Sequence, residues 1–166
     1  MTLLETLDQA KHSLFRFEYL QFFSVNSEKE LWAIWQKEKR IADEYMQTWW
    51  QYIAKKKEQG VLMQRVSLIR KPLTPYKEMA IEIYKRTIPY GDDIRIISED
   101  SFDKLDIPGK DFWLVDDELI VELNYDSQGK WLGFDTRPST EQDISIKTSL
   151  LTHAMSLEEF IKYQQN

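Results

Sequence analysis

Several charged residues lie inside segments that otherwise look like buried strand. Arg16 and Glu18 alternate with Phe15, Phe17 and Tyr19, Arg65 sits between Met63 and Val66, and Arg95 sits between Ile94 and Ile96. A guanidinium carried close to a core needs a carboxylate, because burying it alone is costly. Asp111 and Asp116, at the two ends of a neighbouring apolar segment, are natural partners. Two chemistries fit these residues. Arg16, Glu18, Arg65, Arg95, Asp111 and Asp116 could form an ion-pair network that fixes sheet register. Alternatively, Arg65, Arg95 and Arg16 could line a pocket for an anionic ligand, since guanidinium forks match carboxylate and phosphate geometry.

A third chemistry is metal-assisted hydrolysis. Asp92, Asp93, Asp111, Asp116, Asp117, Glu118 and Glu122 are hard oxygen donors suited to Mg²⁺ or Ca²⁺. Their spacing is not that of an EF-hand loop. Nor is it the Asp…Glu-x-Lys of restriction-type nucleases, because Glu122–Leu123–Asn124 lacks the lysine. There is no thiol, no P-loop, no Gly-x-Gly-x-x-Gly and no serine elbow. The expectation is therefore no catalytic constellation, no metal and no cofactor.

The elements that must position these residues follow from periodicity. Asn26–Ser27 open a helix carrying Leu31, Ile34 and Trp35. Ile41, Tyr45, Trp49, Tyr52 and Ile53 predict a second helix from about Glu38 to Glu58, closed by Lys55–Lys56–Lys57 and Gly60. The lysine run reads as a solvated helix end. Four of the six tryptophans fall in this helical pair. Trp49 and Trp50 are adjacent and diverge by about 100° on a helix, so one of the two is expected at an interface.

From Val61 the pattern becomes β: VLMQRVSLIR, then a helix capped by Thr74–Pro75, then Ile94–Ile97. A crossover of that length implies parallel pairing. DFWLV, LIVELNY and WLGFD follow with short linkers and should form an antiparallel meander, before two C-terminal helices. The expected fold is α/β or α+β: a mixed sheet of about five strands with flanking helices and an N-terminal Trp-rich helical pair. One domain is expected over residues 1–166, with 1–60 mainly helical and 61–166 the mixed-sheet core with C-terminal helices.

Composition agrees with a globular domain: 166 residues, 42% apolar, 30% charged, no cysteine and a net charge of −6. The charge is uneven. Residues 1–71 hold 12 bases and 9 acids, whereas Asp92–Asp126 holds 12 acids and 3 bases. This block is either a partner surface or a set of charged loop ends. Nonspecific nucleic-acid binding would need a basic stripe instead. No apolar run is long enough to span a membrane, and the acidic N-terminus lacks a signal-peptide pattern. A cytoplasmic location is therefore expected, with no membrane and no direct nucleic-acid contact.

The stretches FRFEYLQFFSVNSEKE, QRVSLIRKPLTPY, GDDIRII, DFWLVDDELIVELNYDSQGKWLG and Thr152–Ala154 together resemble a bacterial family of uncharacterised proteins, often encoded beside helix-turn-helix regulators. Two positions depart mildly from that family's pattern: Asp92 where Glu is usual and Val115 where Phe is usual. The second half also resembles degenerate phospholipase-D-like domains attached to bacterial regulators. Active enzymes of that type carry His and Lys two residues apart. Here His12 precedes Ser13–Leu14 and His153 precedes Ala154–Met155, so the motif is missing. The resemblance implies a non-catalytic regulatory or interaction module, partnering a transcription regulator or itself. The alternatives are a metal-dependent phosphodiesterase or other hydrolase using the 92–126 carboxylates, and a sensor of small anionic ligands.

Overall fold

A computed structural model describes residues 1–165. Its centre is a seven-stranded mixed sheet in the order β6-β5-β4-β1-β2-β3-β7. The strands are β1 (Ser13–Glu18), β2 (Leu62–Ile69), β3 (Asp92–Ser98), β4 (Phe112–Val115), β5 (Leu119–Tyr125), β6 (Trp131–Pro138) and β7 (Met155–Ser156). The sheet is thus larger than the expected five or so. The two beyond that count are β1, where the alternation over Phe15–Tyr19 suggests a short strand, and β7. β1 lies at the middle of the sheet, so the mainly helical stretch 1–60 also supplies a central strand. β7 is the two-residue break between the C-terminal helices, paired antiparallel with Arg95 and Ile96.

The β2–helix–β3 unit is parallel, and β4-β5-β6 is an antiparallel meander. Between β2 and β3 runs α4 (Pro75–Thr87), where Thr74 accepts from the Lys77 N–H and Pro75 takes the first turn. α1 (Leu3–Asp8), α2 (Lys29–Glu38) and α3 (Gln47–Glu58) share its face of the sheet, and α5 (Glu99–Asp103) and α6 (Glu141–His153) cover the other. α7 (Leu157–Gln164) sends Leu157 and Phe160 into the first layer. No helix among the described residues is long and apolar enough to cross a membrane.

The helix expected over 38–58 begins only at Gln47. Lys39 ends α2 in the left-handed region (φ 55°), and a short turn at Asp43–Tyr45 follows. Ile41 is buried in this connection while Tyr45 is half exposed, so their helical spacing is coincidental. The expected solvated end at Lys55–Lys57 also needs correcting. Lys56 is buried and bonds the Asp8 carboxylate at 2.8 Å and the Asp8 carbonyl at 3.0 Å, tying α3 to α1.

Strand parity decides what lies under α4. Side chains two apart share a face. Leu14, Arg16 and Glu18 of β1, Met63, Arg65 and Ser67 of β2, and Asp92, Ile94 and Ile96 of β3 therefore point the same way. They meet Trp113 of β4 and Leu123 of β5. Phe15, Phe17, Val66, Leu68 and Ile97 form the opposite layer with Phe102 and Leu150.

Candidate functional site

Arg65 is the hub of the charged face. Its Nη1 lies 3.2 Å from Glu18 Oε1 on one neighbouring strand, and its Nε lies 3.3 Å from Asp92 Oδ2 on the other. Its guanidinium also stands over the Trp113 ring, 5.5 Å from the centroid. Arg16 is directly across from Arg65 in the register and turns to Asp111, at 3.2 Å. Asp111 in turn accepts the backbone N–H groups of Tyr19 and Leu20 at 3.1 and 3.2 Å, fixing the chain as it leaves β1.

α4 closes the cluster from above. Lys77 and Tyr84 are seven residues apart and so lie on one stripe. The Tyr84 hydroxyl donates to Glu18 Oε1 (2.6 Å) and lies 3.0 Å from Ser67 Oγ, and Lys77 Nζ donates to Ser67 Oγ (2.9 Å). Tyr76 donates to Glu28 Oε2 at 2.7 Å, linking α4 to the turn before α2.

Burial opposes every charge here, and the outcome depends on the neighbours. For Glu18, burial pushes upward, but Arg65, Lys77 and Arg16 together outweigh it and hold the carboxyl at about 2. Asp92 goes the other way: burial wins over Arg65, and its Oδ1 is buried without a hydrogen bond. Glu28 is raised by burial, with Glu18 adding to the effect. Burial lowers Lys77.

Two chambers open onto this floor. The first, about 510 Å³, is walled by Phe23, Trp113, Tyr125 and Trp131, with Arg16 at its base and Lys130 at its rim. The second, about 560 Å³, is walled by Leu31, Tyr45, Met46, Trp49, Tyr52 and Tyr84. Glu18, Ser27, Glu28, Arg65 and Tyr76 line both. The rim segment is pinned by the hairpin after β5. Ser24 N–H donates to the Gly129 carbonyl at 2.8 Å, and a Cβ on Gly129 (φ 78°) would stand 2.5 Å from the Phe22 carbonyl oxygen.

Of the six charged candidates, Arg16, Glu18, Arg65 and Asp111 come together. Arg95 does not: it lies on the opposite face of β3, paired with Asp93 at 2.8 Å. Asp116 does not either. Its carboxylate accepts the N–H groups of Lys11, His12 and Ser13, clamping the start of β1. Of the two interface candidates, Trp50 is inside its own chain, donating to Thr87 Oγ1 at 2.9 Å and stacking on Tyr90 at 5.1 Å. Trp49 is half-buried, stacked on Tyr52 at 5.4 Å on the wall of the second chamber.

The acidic block is dispersed rather than gathered. Asp93 serves Arg95, Glu99 and Asp103 serve Arg70, Asp117 serves Lys147, Glu122 serves Arg137, and Asp126 caps its own turn. Among the described residues no group of three His, Asp or Glu side chains converges as metal ligands would.

Over residues 2–162 the chain matches the model of a protein family described as a domain of unknown function, DUF6879. The chain belongs to that family. A comparison with curated proteins finds no match. What this family member can do must therefore be read from its own side chains.

Ser67 and Lys77 are spaced like a nucleophile and its base, but both are fully buried and neither lines a chamber. A substrate carbonyl has no route to that hydroxyl, so the pair holds α4 on β2. Sequence reasoning did not single out Ser67, Lys77, Tyr84, Tyr76 or Glu28. One signal was present for Lys77: with Ala80 and Tyr84 it repeats at i, i+3, i+7, which places a lysine on the apolar stripe of α4. Nothing local marks Glu28, whose role comes from a partner 48 residues away.

Proposed function

We propose that the domain is a non-catalytic binding module whose small-molecule ligand sits against Arg65 and Glu18, where the two chambers meet. The observation that carries this reading is the shared lining. One guanidinium–carboxylate pair, locked by Asp92, Tyr84 and Trp113, faces both chambers. Apolar and aromatic walls around a few fixed polar groups are the usual make-up of a small-molecule site. The fixed floor suits recognition: its donors and acceptors are pre-positioned, so little ordering cost falls on binding.

A regulatory role follows from the rim. Phe23 to Glu28 form one wall, anchored at one end by Phe23 against Tyr76 and Tyr125 and by Ser24 on Gly129, and at the other by the Tyr76–Glu28 hydrogen bond. A ligand that touches this wall and the sheet floor would tighten it, and a partner protein such as a transcription regulator could read that change. This version of the function keeps the module non-catalytic and gives it something to sense.

The test is thermal unfolding with a fragment library of mixed charge, run on the wild-type chain and on Ser27→Trp. Ser27 is exposed and lines both chambers, so an indole there fills the junction without disturbing the core. A fragment at a hundredfold excess over its Kd should stabilise the wild type by about 2.7 kcal/mol, and the variant much less. If no fragment stabilises the wild type, or every one stabilises both chains equally, the proposal fails.

A further inference from the structure

One carboxylate at the chamber floor stands outside the ion pairs. The buried cations are Arg16, Arg65 and Lys77 and the carboxylates are Asp111, Glu18, Asp92 and Glu28, while Lys130 and Lys55 are exposed on the walls of the first and second chambers. Arg16 has Asp111, and Arg65 has both Glu18 and Asp92. Glu28 is the odd one. Its single partner is the Tyr76 hydroxyl, and among the described residues no cationic nitrogen lies within salt-bridge distance of it. What the site lacks is one positive charge beside Glu28.

The second chamber is built to receive that charge. Besides Glu28 and Tyr76, it presents Tyr45, Trp49, Tyr52 and Tyr84, and Lys55 stands exposed on its wall outside salt-bridge distance of Glu28. Trp49 is stacked on Tyr52, whose ring already has Lys56 Nζ 5.6 Å from its centroid and whose hydroxyl is buried with no hydrogen-bond partner. Aromatic faces attract organic cations, most strongly when water is excluded. Leu31, Met46, Ala80 and Ile83 supply apolar wall for the rest of the molecule.

An anion meets the opposite situation. Arg65 already gives bonds to two carboxylates, so an incoming phosphate or carboxylate would have only the exposed Lys55 to pair with while sharing the chamber with Glu18 and Glu28. A neutral molecule could enter but would leave Glu28 uncompensated.

Resting on the reading of the chambers as a binding site, we infer that the second chamber takes an organic monocation. The ligand is an amine on an apolar or aromatic body, its ammonium between Glu28 and the Tyr52–Trp49 wall. Binding transfers no group. It places a charge-assisted hydrogen bond on the free Glu28 oxygen and lays the body against Leu31 and Met46.

Isothermal titration of the full chain at pH 7 and low salt tests this with three probes of one shape: phenethylamine, 2-phenylethanol and phenylacetate. The amine should bind at least about tenfold more tightly than the alcohol, and phenylacetate should be weakest. Glu28→Gln should weaken the amine by about tenfold and leave the alcohol unchanged. Trp49→Leu should weaken the amine severalfold. Unfolding midpoints close to wild type establish that both variants fold. Equal binding of amine and alcohol, tighter binding of phenylacetate, or an amine affinity unmoved in both variants overturns the monocation while leaving a binding cavity in place. Failure of all three probes also overturns it. The wider proposal falls only if the mixed-charge library fails against the wild type or ignores Ser27→Trp.

Discussion

Arg16 and Arg65 stand directly opposite each other on adjacent parallel strands, two like charges in one register pair. Such a pair is unfavourable by itself. It is tolerated because each guanidinium turns outward to its own carboxylates, Arg16 to Asp111 and Arg65 to Glu18 and Asp92. The two arginines thereby fix the positions of β4, β1, β2 and β3 relative to one another.

Removing the hub should expose what it compensates. Arg65→Met leaves Glu18 and Asp92 buried without their counter-charge and should cost about 3–5 kcal/mol. That is a large share of the stability of a domain this size. In a double-mutant cycle, Arg65→Met with Asp92→Asn should show a coupling of about 1–3 kcal/mol by urea unfolding. A coupling near zero would mean that the observed pair does not hold the strands.

Asp111→Asn tests the exit from β1. The carboxylate serves Arg16 and two backbone N–H groups, and the amide can accept at one oxygen only. A loss of about 3 kcal/mol is expected, with faster amide exchange at Tyr19 and Leu20. Unchanged exchange at those two residues would contradict the clamp.

The acid limb of stability should carry the signature of Glu18. Its carboxyl is held at about 2 against an ordinary 4.5. Its contribution is therefore present above about 4.5 and lost as pH falls towards 2. Asp92, raised by burial, acts in the opposite sense and offsets part of it. Glu18→Gln should cost on the order of 3 kcal/mol at pH 7, and the gap to wild type should close as pH drops from 5 to 2. A gap that stays constant with pH would remove the electrostatic explanation.

Gly129→Ala tests how the rim is held. The new Cβ would meet the Phe22 carbonyl, at a backbone angle that side chains disfavour. A loss of about 1–2 kcal/mol is expected, together with displacement of residues 22–24 and weaker binding of any chamber ligand. Wild-type stability and binding in this variant would show that the hairpin does not support the wall.

Much of this was legible in the chain. The β2–α4–β3 unit and the β4–β6 meander followed from caps, turns and alternation, and the charges inside strands pointed to Arg16, Glu18, Arg65 and Asp111. Arg95 carries the same mark yet faces away, because Ile94, Ile96 and Ile97 make β3 apolar on both sides and the alternation gives no direction. Asp116 looked like a partner for an arginine, but it is consumed by three backbone donors at the start of β1. Ile41 and Tyr45 kept helical spacing inside the connection that follows the left-handed backbone of Lys39. Glu28 was invisible because its importance comes from a distant tyrosine and from the lack of a cation, and neither is a local property.

Indole N–H spectra of the six tryptophans, recorded while a stabilising fragment is titrated in, test the binding site most directly. Trp49, Trp113 and Trp131 line the chambers, whereas Trp32 and Trp35 line neither. The account predicts saturable shifts of signals from the first group, with Trp32 and Trp35 nearly still, and loss of those shifts in Ser27→Trp. Shifts confined to Trp32 and Trp35, or shifts that survive in Ser27→Trp, would contradict it.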